Sequence, residues 1–146
     1  AAAGAPLMAA MTQVQRDAFL REVRIAKLAT LTATGAPTSV PVWFEWDGEK
    51  ARVFSSRDVQ KVRNIRRDGR VALTVEEPVG VPEAWVTIEG IAEVLDRGGF
   101  ELASRLAPLY YGEPKAAQTL AKWRNAGDDY WVLIEITPVR IRSSAP

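Results

Sequence analysis

Between Ser55 and Arg70 the sequence reads SSRDVQKVRNIRRDGR, six basic residues against two acidic ones in a chain whose net charge is only +1. If residues 59–67 are helical, Val59, Val62 and Ile65 recur three apart as an apolar stripe, and Lys61, Asn64 and Arg67 lie roughly opposite. The hydroxyls of Ser55 and Ser56 precede the helix start, where backbone amides and the helix dipole are positive. Cations, hydroxyls and free amides at one place form a phosphate pocket. The same spacing also describes a solvated basic face on an amphipathic helix, and spacing alone leaves both open. Glu45, Asp47, Glu76 and Glu77 stand at a turn and a strand end, which favours solvated loop charges over an acid pair. Tyr110 and Tyr111 can close over a substrate, donate a proton or simply pack, packing being the simplest reading.

The chain has no cysteine and no histidine. Thiolate nucleophiles, disulfides, histidine acid–base catalysis and most transition-metal sites are therefore excluded, and no metal ligands or catalytic side chains are assigned. Nineteen basic residues against eighteen acidic ones argue against a nucleic-acid module. No apolar run approaches the ~18 residues of a membrane span. The opening AAAGAPLMAAMTQ lacks a basic n-region and an adequate apolar core, so it does not read as a signal peptide. Residues 1–11 are expected to be disordered or a tag remnant, with Met8 or Met11 as candidate starts, ahead of one domain spanning 12–146. The expected compartment is the cytoplasm.

These groups must be positioned by short elements. Thr12 caps a predicted helix to Glu22. RIAKLATLTA (24–33) reads as a strand, and PTSVPVWFEW (37–46) alternates with period two. Asp47-Gly48 signals a hairpin into ARVFSS (51–56). Asp58 is a candidate cap for the 59–67 helix, which Asp68-Gly69 closes. VALTVEE (71–77) and AWVTIEGIAEVLD (84–96) are strands, the second carrying Gly90 as a bulge or bend. Two helical segments follow, divided by Gly112 and Pro114, then strands at 129–136 and 138–143. Trp123 and Trp131 read as structural. The turns between early strands are too short for crossover helices. The predicted fold is therefore mainly β with flanking helices (α+β), a six-stranded antiparallel barrel.

The ordered set RIAKLATLTATGAPTSVPVWFEWDG, VFSS, QKVRNIRRDGRVALTVEE and WVTIEGIAEVL resembles the pyridoxamine 5′-phosphate oxidase-like superfamily, whose fold is the FMN-binding type of split barrel. It is most similar to the branch of deazaflavin (coenzyme F-420)-dependent reductases. The likeness covers roughly residues 24–96 and the closing ITPVRI. It implies that Lys61 and Asn64 contact the phosphate-bearing tail of the cofactor, within the pattern K-x-x-N/Q-[IL]-x-x-[DN]-[PG]-R-V. Ser55 and Ser56 match the strand end lining the same tail. Ser39, Val40, Pro41, Val42 and Trp43 match the strand along the tricyclic ring, with Thr30 and Thr32 on its neighbour. Pro41 cannot donate a ladder hydrogen bond, so a local bulge or an edge strand is expected there.

The resemblance further implies an oxidoreductase in which reduced F-420 gives hydride to an unsaturated small-molecule acceptor. Trp85 stands where FMN-binding relatives carry a glutamine, and an indole cannot accept a hydrogen bond. Arg57, Lys61, Arg63 and Arg67 suit a tail with several negative charges. An FMN-dependent oxidase or reductase, and a non-catalytic flavin- or haem-binding protein, remain as alternatives. A homodimer is implied, with cofactor sites between barrels and with Trp85 and the loop 78–83 approaching the partner's cofactor.

Overall fold

The computed structural model describes residues 7–146. Thr12 caps α1 (Gln13–Arg21) through a reciprocal capping box with Gln15, and α1 buries Phe19 and Leu20. The strands are β1 (Ala26–Leu31), β2 (Pro37–Val42), β3 (Glu45–Trp46), β4 (Ala51–Ser56), β5 (Arg70–Glu76), β6 (Trp85–Leu95) and β7 (Trp131–Ser144). The remaining helices are α2 (Gln60–Arg67), α3 (Gly99–Tyr111) and α4 (Lys115–Arg124). All seven strands form one curled antiparallel sheet in the order β2-β1-β5-β6-β7-β4-β3. Their period-two pattern turns Leu28, Val53, Leu73, Ile88, Ile134 and Ile136 into a common interior. No helix among the described residues is long and apolar enough to cross a membrane.

Among the described residues, seven strands replace the expected six. The strand pairing through residues 37–46 is interrupted at Trp43 and Phe44, giving β2 against β1 and a two-residue β3 against β4. The last two predicted strands are instead one, because Pro138 sits opposite Gly90 at a register shift and the ladder continues past it. That shift is the bulge expected at Gly90. A Cβ there would lie 2.4 Å from the Thr137 carbonyl oxygen, so the close approach requires glycine. At Pro41 the pairing with Lys27 belongs to an unbroken register, not a bulge. The proline is accommodated because β2 is an edge strand.

Two further expectations are corrected. Val59, not Asp58, takes the N-cap of α2, with no side-chain cap. The expected disorder of 1–11 does not extend to its described part: Ala9 bridges Ala145, and the Met11 amide donates to Ser143 Oγ at 2.9 Å. Residues 1–6 lie outside the described residues.

Candidate functional site

The loop into β1, the end of β2, α2 and the α3–α4 hairpin meet around a cleft of about 400 Å³, lined by Ile25, Pro41, Val42, Trp43, Phe54, Lys61, Tyr111 and Trp123. Amphipathicity places Lys61 there: Val62 and Ile65 are buried against the sheet, and Lys61, one position before Val62, emerges at the margin of that contact. Burial pushes its ammonium below the ordinary lysine range. No carboxylate offsets this, since none of the ion pairs among the described residues involves Lys61. A half-buried cation without a partner is a site for an anion.

Four of the expected site residues, Pro41, Val42, Trp43 and Lys61, come together in this cleft. The others are distributed around it or away from it. Asn64 is fully buried, contrary to its expected place on the open face. Its Nδ2 donates to Thr30 Oγ1 at 3.0 Å, and its Oδ1 accepts from Gln60 Nε2 at 2.6 Å. The reason is that β1 closes a second side of the helix. Thr32 shapes the β1–β2 turn, its hydroxyl accepting from the Ala36 amide at 3.1 Å. Ser39 and Val40 lie exposed on β2. Ser55 is buried and donates to the Ser56 carbonyl. Ser56 lines a separate cleft of about 340 Å³ with Arg57, Asp58 and Asp129. Trp85 opens β6, with the Arg142 guanidinium 5.9 Å from its ring centroid.

The arginines of the basic segment have internal partners. Arg57 binds Asp96 at 2.6 Å and the Asp129 carbonyl at 2.5 Å. Arg63 donates to the Asp58 carbonyl and to Gln60. Arg67 makes only long contacts, 3.4 Å to the Leu31 carbonyl and 3.5 Å to Asn64. Lys61 alone of the basic segment lines the aromatic cleft. The candidate acids are also paired: Glu45 with Arg105, Asp47 with Arg52, Glu76 with Lys27 and Glu77 with Arg24.

Sequence reasoning placed Trp43 at the site but favoured packing for Tyr111 and a structural role for Trp123, and so missed the wall that the three form. Trp43 stacks on Tyr110 with centroids 4.7 Å apart and meets Tyr111 edge-on at 4.7 Å and Trp123 at 6.0 Å. Trp123, expected to be structural, lines the cleft, whereas Trp131 donates its indole N–H to the Trp123 carbonyl. The Tyr110 hydroxyl donates to the Arg24 carbonyl at 2.7 Å and accepts from the Phe44 amide at 3.3 Å. These bonds hold the β2–β3 break in place, and burial raises the pKa of the hydroxyl, which makes it a poor proton donor. The only local signal for this wall was the aromatic content of the 110–123 segment.

The family model described as pyridoxamine 5′-phosphate oxidase matches residues 13–144. A curated relative, the 5a,11a-dehydrotetracycline/5a,11a-dehydrooxytetracycline reductase of Streptomyces rimosus subsp. rimosus, is 39% identical over 90 residues. That alignment spans 57% of this chain and 63% of the relative's length. Among solved structures, a conserved hypothetical protein of Mycobacterium tuberculosis superposes with a TM-score of 0.73 at 25% identity, covering 92% of this chain and 85% of that one. An F-420 reductase superposes with a TM-score of 0.61 at 22% identity, over 86% and 94% of the two chains. A FAD-binding protein of Mesorhizobium loti gives 0.66 at 21% identity, over 94% and 96%. The last two likenesses establish a common fold.

Proposed function

Because this chain belongs to the pyridoxamine 5′-phosphate oxidase family, we propose that it is a reductase that holds a flavin-type cofactor, coenzyme F-420, in the aromatic cleft and reduces an unsaturated small molecule. The observation that carries this is Lys61, half-buried, without a charge partner and destabilised by burial until an anion arrives. The residues present fit such a group: an anion for Lys61, apolar and aromatic walls for a flat ring, and the β2 edge beside Pro41 and Val42. When bound, the cofactor supplies hydride. Lys61 anchors its tail, and Trp43 and Phe54 exclude water from the ring. The name of the Streptomyces relative, a reductase, supports the reaction class.

FMN is the second reading, and one observation favours it. With Arg57 and Arg63 held by other groups, Lys61 is the single cation lining the cleft among the described residues, which suits one phosphate. Trp85 and the branch resemblance favour F-420. Parallel fluorescence titrations of the protein with F-420 and FMN decide between them. Tighter F-420 binding is expected, with Lys61→Ala weakening it on the order of tenfold or more. Tighter FMN binding overturns the cofactor choice, and an unchanged affinity in Lys61→Ala overturns the site. In this reading the protein is a homodimer.

A further inference from the structure

The chain has five lysines, and their amines differ in what they meet. Lys27 Nζ is ion-paired with Glu76 at 2.7 Å, and Lys50 Nζ with Glu135 at 3.1 Å. Lys115 Nζ lies 4.1 Å from the centroid of the Tyr111 ring, within reach of a cation–π contact. Lys122 stands exposed on α4. Lys61 shares none of these settings. It borders an open cleft of about 400 Å³ walled by Ile25, Trp43 and Phe54. No carboxylate lines that cleft among the described residues, and Tyr111 is the only other ionisable side chain on its wall. Burial disfavours the ammonium, so Lys61 holds a larger share of free base at a given pH than an ordinary lysine. A desolvated, reachable amine in apolar surroundings is the nucleophilic kind.

We infer that Lys61 is the preferred acylation site of this chain, reacting with acyl phosphates while the cleft is empty, and that this modification abolishes the anion site. The neutral Nζ attacks the carbonyl carbon, and a C–N bond forms as the C–O bond to phosphate breaks. Phosphate leaves with that electron pair, and the amine's proton passes to it through water. The product amide is neutral. It removes the one cation lining the cleft among the described residues and adds an acyl group where the anion would sit. In the other direction, an anion bound at Lys61 keeps the amine protonated and shields it from attack. Modification and cofactor binding therefore exclude each other. This exclusion rests on the reading of the cleft as the cofactor site, whereas the reactivity of the amine rests on its surroundings alone.

The test treats the protein, free of cofactor, with acetyl phosphate near neutral pH and follows acetylation at each lysine by peptide mass spectrometry. Lys61 is expected to react at least about fivefold faster than Lys27, Lys50, Lys115 or Lys122. Saturating F-420 or FMN should slow Lys61 by about tenfold or more and leave the other four unchanged. The acetylated fraction should bind cofactor about tenfold or more weakly. Lys61→Arg keeps a charge and offers no acylable amine, so its own cofactor affinity should survive the same treatment. A Lys61 rate no greater than the rates of the other four overturns the inference. Undiminished affinity of the acetylated protein for a cofactor that does protect Lys61 also overturns it. Preferential acetylation of Lys61 that neither cofactor slows removes the cofactor reading and leaves the modification site standing.

Discussion

At the scale of single residues, Lys61 couples ligand binding to protons. Its folded-state pKa lies below the unfolded value because burial disfavours the ammonium and nothing offsets it. Its charge therefore costs stability below the folded pKa, and that cost disappears as pH rises from there to the unfolded lysine value of about 10.4. Lys61→Met is expected to match or exceed the parent in resistance to urea at neutral pH, with the difference fading on the alkaline side, while losing cofactor affinity. A bound anion raises the pKa again, so parent affinity should fall as pH rises, starting below the free-lysine range. A pH series of fluorescence titrations checks this, and Lys61→Met should lack that decline. Asn64 behaves oppositely. It is buried with its amide satisfied by Thr30 and Gln60, so Asn64→Leu leaves the Thr30 hydroxyl, 2% exposed, without its donor. A loss of roughly 1–3 kcal/mol in urea unfolding is expected.

Elements show which information is local. The β6 bulge was readable because a glycine interrupts a strand rich in β-branched residues, and the structure brings its Cα close to the Thr137 carbonyl. Gly90→Ala forces backbone contact at 2.4 Å, so β6 and β7 must separate locally. A loss of about 1–3 kcal/mol in thermal or urea unfolding is expected, with accelerated amide exchange confined to residues flanking 90 and 138. The helix α2 and its lysine were legible for the same reason, since an apolar stripe fixes a helix face within one turn. The β2–β3 break was not. Val42, Phe44 and Trp46 are all buried, so alternation continues unbroken, and the break depends on a hydroxyl 66 residues away at Tyr110. Asn64 was misplaced because helical spacing describes one buried side, whereas α2 also meets β1. The aromatic wall was hidden likewise, because only the return of α3 onto β4 and β7, with α4 packed on α3, brings Tyr111 and Trp123 to Trp43.

For the whole molecule, strand order bears on whether one chain can complete the site. Pro41 and Val42 lie on β2, and Trp85 begins β6, with β1 and β5 between them. Three strand spacings amount to about 14 Å across the sheet. Trp85 is not among the residues lining the Lys61 cleft. Trp85 of a second copy can meet the cofactor held at Lys61, which is the arrangement proposed for the homodimer. Hydrophobic side chains remain exposed for such an interface, Val79 and Val81 in the loop just before β6 and Val40 on the β2 edge. Lys61→Ala and Trp85→Ala should each lose cofactor-dependent activity as pure proteins. Mixed after unfolding and refolding together, half of the dimers become hybrids, each with one site carrying both intact residues and one carrying neither. Activity is then expected to recover to about a quarter of the parent value, with a sedimentation mass of two chains. Sites built within single chains would show no recovery on mixing, since every site would keep one lesion, and a monomer mass under turnover conditions would exclude a shared site altogether.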